Sequence, residues 1–450
     1  MLYNFFWLLF RITFRFFFRE VVIHNRERIP PRGPLLICAN HPGALLDPLV
    51  IAVLLGRRVH FLAKAVAFKS KFAQWLLPKL NMIPIYRKQD DPSQTHRNEE
   101  TFVKCYEQLA KGAAILIFPE GISITERKLR ELKTGAARIA LGAEEAHNYA
   151  LDVHILSVGL NYDDPHTFGR DILIQVAEPI RVSDYTGQWK TDKFAAADAL
   201  TEEIRRRLEA QIIHIENNED DRFVHQLERL HGGELSRKLN LPPDSAYNEF
   251  RLTQRLASVV QWFRKHDNAR LNELRSGMSS YFWKLEALGL NDKALRGTEV
   301  KPIHRRFVQL LAVLAGFPFY VCGLLLNLLP FFIAHKLSQS LVKQREFQGA
   351  VGVVTGAILF LFWYAGWSML LYNVWGNGWL AAALVLVAIP LGLFAWYYHL
   401  QIRELLKRHL LSSLFKRRRV MIVELVRQRE ELIRQLNAAE AYYRSHAKRN

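Results

Sequence analysis

The sequence predicts an α/β domain, a mixed sheet flanked by helices, followed by a helical region and by C-terminal transmembrane helices. Three observations predict it. Short apolar runs alternate with stretches of helical periodicity between residues 21 and 180. Helix-patterned sequence with charged faces fills positions 190–300. Apolar spans at about 307–334, 350–372 and 376–398 come last, and the second and third approach the ~20 residues needed to cross a hydrocarbon core.

Composition narrows the class of partner. A chain of 450 residues has room for two or three domains, and 50% hydrophobic with 12% aromatic content is more apolar surface than a soluble enzyme needs. Sixty-one Lys and Arg against 43 Asp and Glu leave a formal charge of +18, which points to nucleic acid or to an anionic membrane surface. The apolar spans decide for the membrane, because the basic residues cluster beside them and no nucleic-acid motif accompanies the charge. Three cysteines, Cys38, Cys105 and Cys322, form neither a metal-ligand spacing nor a disulfide framework. A reducing, cytoplasm-facing compartment is expected, with no cleaved signal peptide.

Residues 1–20 read as an amphipathic helix lying in the headgroup layer. Arg11, Arg15 and Arg19 recur every four positions on one face, and Phe, Trp and Leu form the other. The first turn of a transmembrane bundle is the alternative. Residues 21–190 form the α/β domain, with strands expected at 34–39, 59–63, 82–86, 113–118, 155–160 and 172–176 and helices at 47–56, 68–79, 96–111 and 134–145.

The chemistry is expected in residues 40–48, Asn-His-Pro-Gly-Ala-Leu-Leu-Asp-Pro. They follow the apolar run 35–39, so His41 falls at a strand's carboxyl end. Asp47 and Pro48 open the next helix, with the aspartate in the N-cap place. A neutral imidazole can take a proton from an alcohol while a carboxylate on its other nitrogen fixes the tautomer. Taken alone, the pair reads as readily as a satisfied loop histidine and a helix cap. The residues that follow tip the balance: Arg87 past the strand at 82–86, Glu120 and Gly121 past the strand at 113–118, and Lys133 before the helix that Gly135 begins. An arginine fork and exposed helix-start amides suit a phosphate, and a glycine allows close backbone approach.

These blocks resemble the phospholipid and glycerol-phosphate acyltransferase family. The matching stretches are NHPGALLDP at 40–48, MIPIYR at 82–87, FPEGIS at 118–123 with KTGAARIA at 133–140, and SVGLNY at 157–162. Five residues separate His41 from Asp47 where the family commonly has four. With GLNY at 159–162, that spacing is similar to the fungal-type glycerol-3-phosphate and dihydroxyacetone-phosphate acyltransferase branch. The resemblance implies that His41 deprotonates the acceptor hydroxyl, which attacks an acyl thioester, while Asp47 orients the imidazole. It implies that Arg87, Glu120 and Gly121 bind the acceptor's glycerol-phosphate end, that Lys133 helps by charge, and that Lys64 stands at a position often basic in the family. Ser157 and Val158 replace the usual proline of the fourth block, so a different local backbone is expected there.

Residues 191–303 read as a helical insert, with helices such as 195–217 and 251–266. In the region 304–400, basic flanks (Lys336, Lys343 and Arg345; Arg403, Lys407 and Arg408) make the second and third spans a hairpin with both ends cytoplasmic. The first span has Lys301, Arg305 and Arg306 before it and Lys336 after it, and it carries Gly316-Phe317-Pro318 and Pro330. A re-entrant pair of half-helices is expected there. The tail, 401–450, is a basic amphipathic helix with Lys416 to Arg419 at its start, lying on anionic phospholipid or pairing with a second copy as a homodimeric coiled coil.

The expected activity is O-acyl transfer in phospholipid synthesis by an integral membrane protein whose catalytic domain is cytoplasmic. The acyl donor would be acyl-CoA or acyl-carrier protein, the acceptor glycerol-3-phosphate or 1-acylglycerol-3-phosphate, and no metal or other cofactor is expected. Another lysolipid or an aminoacyl lipid as acceptor, and a non-catalytic lipid-binding role, are the alternatives.

Overall fold

A computed structural model describes residues 1–87, 91–240, 245–292, 295, 303–342, 345–417 and 419–446. Lys301, Lys343 and Arg418, each part of a basic stretch read from the sequence, lie outside these. The chain divides into two units, Met1–His214 with Lys336–Ala357, and Ile215–His335 with Ile358–Asn450.

The first unit is built on a mixed sheet. Its elements in order are α1 (Leu2–Phe17), β1 (Phe18–His24), β2 (Leu35–Ala39), α2 (Leu46–Leu54), β3 (Val59–Lys64), α3 (Lys71–Leu76), β4 (Met82–Ile85), α4 (Asn98–Ala110), β5 (Ala114–Ile117), α5 (Gly135–Ala146), β6 (His154–Tyr162), β7 (Arg170–Val176), β8 (Ile180–Arg181), α6 (Thr186–Thr191) and α7 (Lys193–Glu209). The strands lie in the order β1-β7-β6-β2-β5-β3-β4, with β8 paired to β6. The run β6-β2-β5-β3-β4 is parallel, and β7 reverses against β6.

β2 shows why an uninterrupted apolar run folds as a central strand. Successive side chains point to opposite faces, and both faces are covered. Leu35, Ile37 and Ala39 enter a core shared with α1 and α2, whereas Leu36 and Cys38 enter one shared with α4, α5 and α7. Ala350, Val353 and Ala357, from a helix late in the chain, join the α1 and α2 layer. Gly159 marks the tightest approach in this unit's sheet. A Cβ there would stand 2.1 Å from the carbonyl oxygen of Gln211, whose segment crosses β6 just after α7.

Several expectations are corrected in this unit. Helix α1 ends at Phe17, and Arg19 belongs to β1, where its guanidinium pairs with Asp171 of β7. It therefore does not share a helical face with Arg11 and Arg15. Part of the aromatic stripe of α1 faces protein: Tyr3, Phe10 and Phe14 are buried, leaving Phe5, Leu8 and Ile12 outside. The expected helix at 68–79 is instead a six-residue α3 capped by Ser70 and followed by a 3-10 turn that Pro78 begins. Helix α7 buries Ala196, Leu200, Ile204 and Leu208 in the sheet's second layer, and the compact unit that holds the sheet includes residues up to His214. Ser157, where a proline was missed, sits in an ordinary strand opposite Cys38.

The second unit contains α8 (Asn218–Lys238), α9 (Ala246–His266), α10 (Asn268–Ala287), most of α11 (Ile303–Leu341), the second half of α12 (Arg345–Trp375), α13 (Gly378–Arg417) and α14 (Arg419–His446). The stretches Leu311–Leu341, Phe347–Trp375 and Gly378–Arg403 are long and apolar enough to cross a membrane. Helix α11 runs unbroken through Pro318 and Pro330, which overturns the re-entrant pair. Neighbouring helices supply partners near such prolines: the Tyr398 hydroxyl donates to the Val313 carbonyl. Asn327 donates to the carbonyls of Gly323 at 2.9 Å and Ala388 at 3.0 Å, and accepts from the Tyr364 hydroxyl at 2.5 Å.

Part of the apolar stripe of α14 is covered within the chain. Ile422, Leu425 and Leu432 are buried, the helix packs on α10, and Arg429 donates to Asp292 at 2.8 Å while Lys284 donates to Gln428 at 3.0 Å. Those three residues are spent on packing within the chain, while Val420 and Val423 remain exposed.

Gly159→Ala is expected to destabilise the first unit by about 1–3 kcal/mol through overpacking against backbone, read as a lower unfolding midpoint of the purified protein in detergent. An unchanged midpoint would show that the Gln211 segment yields freely.

Candidate active site

Parallel strands place their carboxyl ends on one edge of the sheet, and the polar residues picked out of the sequence all lie just beyond them. In sheet order, β6 ends in Tyr162, β2 leads into Asn40 and His41, β5 into Phe118, Glu120 and Gly121, β3 ends in Lys64, and β4 leads into Arg87. One edge thus collects residues spread over more than a hundred positions.

The loop from 40 to 47 is held from several directions. Asn40 spans from β2 to β6, donating to the Leu160 carbonyl at 3.0 Å and accepting from the Leu160 amide at 2.7 Å. Ser123 accepts from the Ala44 amide at 3.0 Å and donates to the His41 carbonyl at 2.8 Å. Ala44 takes a φ of +50°, the turn that absorbs the five-residue spacing between His41 and Asp47. Gly43 has no room for a side chain, because a Cβ would lie 2.6 Å from an Asp47 oxygen.

Asp47 is fully buried and accepts three hydrogen bonds. They come from His41 Nδ1 at 2.8 Å, from the Gly43 amide at 2.8 Å and from the Tyr162 hydroxyl at 2.7 Å. The N-cap reading of Asp47 is corrected: α2 begins at Leu46, and no side chain caps it. With Nδ1 on the carboxylate, the imidazole holds its proton there and offers Nε2 as a base. The ring lies flat on Phe118, centroids 3.8 Å apart, with the planes 7° from parallel. Burial pushes the Tyr162 phenol well above its usual range, and the Asp47 charge and hydrogen bond add to that. It therefore stays a neutral donor.

Glu120 is buried, and both of its oxygens are taken. Oε1 accepts from the His41 amide at 3.1 Å and Oε2 from the Arg130 amide at 3.1 Å. Burial raises its pKa, and those two amides and the neighbouring charges pull the other way. The carboxylate braces the loop 40–47 against the loop before α5. Gly121 takes a φ of +71° and packs under Lys133, whose Nζ would be 2.7 Å from a Cβ. The close approach that needs a glycine here is made by the protein itself. Arg87 donates to the Gly121 carbonyl at 2.7 Å.

His41, Glu120, Gly121, Arg87 and Lys133 therefore form one connected chain of contacts. The Lys64 ammonium lies 5.8 Å above the Phe347 ring. A cavity of about 430 Å³ opens beside Arg87, lined also by Lys69, Tyr86 and Arg97. Tyr162, Ser123, Asn40 and Phe118 were not singled out from sequence. Each lies within a stretch that was, and only the three-dimensional pairing gives it a role.

The acyltransferase family model matches residues 20–161. An uncharacterized acyltransferase of Schizosaccharomyces pombe is 24% identical over 272 residues, 42% of this chain and 40% of that one. The glycerol-3-phosphate O-acyltransferase 1 of Saccharomyces cerevisiae is 21% identical over 463 residues, 82% of this chain and 60% of that one. A 1-acyl-sn-glycerol-3-phosphate acyltransferase of Bacillus subtilis is 30% identical over 121 residues, 27% of this chain and 56% of that one. The crystal structure of a 1-acyl-sn-glycerophosphate acyltransferase from Thermotoga maritima, 20% identical, overlays with a TM-score of 0.31 over 44% of this chain and 76% of that one, too slight a likeness to bear on the fold. The chain thus spans 40% and 60% of the length of the two yeast relatives. The stretch that matches the acyltransferase family model, residues 20–161, is the stretch that carries the site.

Proposed function

We propose that this chain is a membrane-bound O-acyltransferase of phospholipid synthesis. It moves a fatty acyl group from an acyl thioester, acyl-CoA or acyl-carrier protein, to the hydroxyl of glycerol-3-phosphate or 1-acylglycerol-3-phosphate. The observation that carries the reading is the 2.8 Å contact between His41 Nδ1 and a fully buried Asp47, set at the strand ends beside Arg87 and Lys133.

The acceptor hydroxyl gives its proton to His41 Nε2 as its oxygen attacks the thioester carbonyl. Asp47 stabilises the imidazolium that forms. Collapse of the tetrahedral intermediate breaks the carbon–sulfur bond, and the departing thiolate takes the proton back from the imidazolium. No acyl-enzyme is needed. Arg87 and Lys133 favour an acceptor that carries a phosphate. Glycerol-3-phosphate is the acceptor we favour, because the relative matched over most of this chain is named for it. The basic flanks support a catalytic domain on the cytoplasmic side.

His41→Ala is expected to lower transfer by about 10²–10⁴-fold, while the protein still inserts and keeps its unfolding midpoint. Activity retained in purified, detergent-solubilised protein would end the proposal. A panel of acceptors with one labelled donor then ranks glycerol-3-phosphate against lysolipids and aminoacyl lipids.

Tyr162→Phe removes one hydrogen bond to a buried carboxylate, an interaction of about 1.5–3 kcal/mol. It is expected to lower kcat about tenfold or more with little change in KM. An unaltered kcat would mean that His41 and Gly43 alone hold Asp47.

Glu120 gives a pH signature. A carboxyl whose folded pKa is raised contributes stability below its unfolded pKa, near 4.5, and that contribution is lost as pH rises through the folded value. Glu120→Gln has nothing to titrate there. The stability difference between wild type and Glu120→Gln is therefore expected to shift in favour of the variant as pH rises from below 4.5, measured by unfolding midpoints across the series. The variant should also lose activity, since an amide cannot accept from both backbone N–H groups.

A further inference from the structure

The stretch joining β3 to β4 buries none of its helical residues. Neither the 3-10 turn Ala65–Phe68, nor α3, nor the 3-10 turn Pro78–Leu80 contains a buried residue. Yet Val66, Phe72 and Trp75 stand 42%, 67% and 56% exposed, with the rings of Phe72 and Trp75 6.0 Å apart. Single exposed apolar residues are ordinary. A six-residue helix that spends two large aromatics on solvent is not, because short helices depend on packing an apolar face.

The segment itself carries charge of one sign, and Asp91, which shares the cavity wall with Lys69, is the acidic residue beside it. Lys64, Lys69, Lys71 and Lys79 are exposed, the Lys79 ammonium sits 3.6 Å above the Trp75 ring, and no acidic residue occurs between positions 48 and 89. Cations with aromatic rings at their level are the composition of a bilayer's headgroup boundary. Two neighbours in the same unit point to the same surface. Helix α1, which keeps Phe5, Leu8 and Ile12 outside, packs against the turn Pro78–Leu80. At the other end, Lys64 reaches over Phe347, the first residue of an apolar stretch long enough to cross a membrane. The segment thus begins where that stretch begins.

We propose that residues 64–80 are a docking surface for anionic bilayer lipid. Phe72 and Trp75 sit at the acyl boundary, and the lysines lie on headgroup phosphates. The inner side of the same stretch, Ala65, Val66, Phe68, Lys69 and Gln74, walls the cavity beside Arg87. Docking therefore sets that cavity at the lipid surface, whatever reaction the site performs.

The test uses the full chain in nanodiscs, in a Cys322→Ser background, since Cys38 and Cys105 are buried. A nitroxide is attached at Phe72→Cys, at Trp75→Cys, or at Phe194→Cys, a position 86% exposed on α7. Accessibility to oxygen and to a water-soluble nickel chelate is read by power saturation, with phosphatidylcholine alone or mixed with phosphatidylglycerol. In the anionic discs, positions 72 and 75 should favour oxygen severalfold over position 194, and the combined Lys69→Glu, Lys71→Glu and Lys79→Glu variant should lose that preference. Chelate access at 72 and 75 equal to that at 194 would place them in water and overturn the proposal. Protection from both reagents would put them under protein, a partner or a second copy, and overturn it as well. A preference for oxygen that ignores lipid charge would remove the anionic specificity.

Discussion

The structure of the site depends on keeping one ionised carboxylate out of water. Asp47 is fully buried, and an unpaired charge in that position would cost many kcal/mol. Three donors hold it: an imidazole, a backbone amide and a phenol. Each comes from a different place, the strand end at His41, the turn at Gly43 and the end of β6 at Tyr162. Moving any of them exposes the charge to an incomplete shell, so the same contacts that orient the His41 imidazole also fix the path of residues 40–47. Orientation of the imidazole and stability of the loop are one interaction.

Sheet topology makes that arrangement possible. Because β6, β2, β5, β3 and β4 run parallel, every loop that leaves a carboxyl end opens on the same edge. Glu120 then ties the β5 loop to the β2 loop through the His41 amide, and carries the tie onward to Arg130. Asn40 does the same toward β6. The edge is thus cross-braced by side chains that accept from or donate to backbone.

Legibility of these features from sequence follows from how local their causes are. β2 and β5 can be read because each is a short apolar run buried along its whole length, and burial on both faces needs nothing else. β1 cannot, since Phe14 to Phe18 continue the aromatic pattern of α1, and only the pairing of Arg19 with Asp171, 152 residues away, draws the boundary at Phe17. His41, Asp47, Arg87 and Glu120 stand out by residue type. The role of Glu120 does not, because its partners are two backbone amides that carry no sequence signal. Tyr162 is hidden for a related reason: a tyrosine ending a strand is ordinary until its hydroxyl is seen on Asp47. The apolar stripe of α14 is visible, but what covers it depends on α10, far earlier in the chain.

The two carboxylates of the site share a feature that bears on the kind of substrate it suits. Asp47 is satisfied by imidazole, amide and phenol, and Glu120 by two backbone amides. None of these donors is a lysine or arginine side chain. The negative charge needed for proton transfer and for bracing is therefore buried and answered without drawing on the cations at the same edge. Arg87 donates to the Gly121 carbonyl, a neutral acceptor, and Lys133 lies over a glycine. No acidic residue occurs between positions 48 and 89, so the segment before Arg87 adds no competing carboxylate. Under the proposed function, an anionic substrate is held by charge and deprotonated at the same place, two demands that a carboxylate paired with arginine would set against each other.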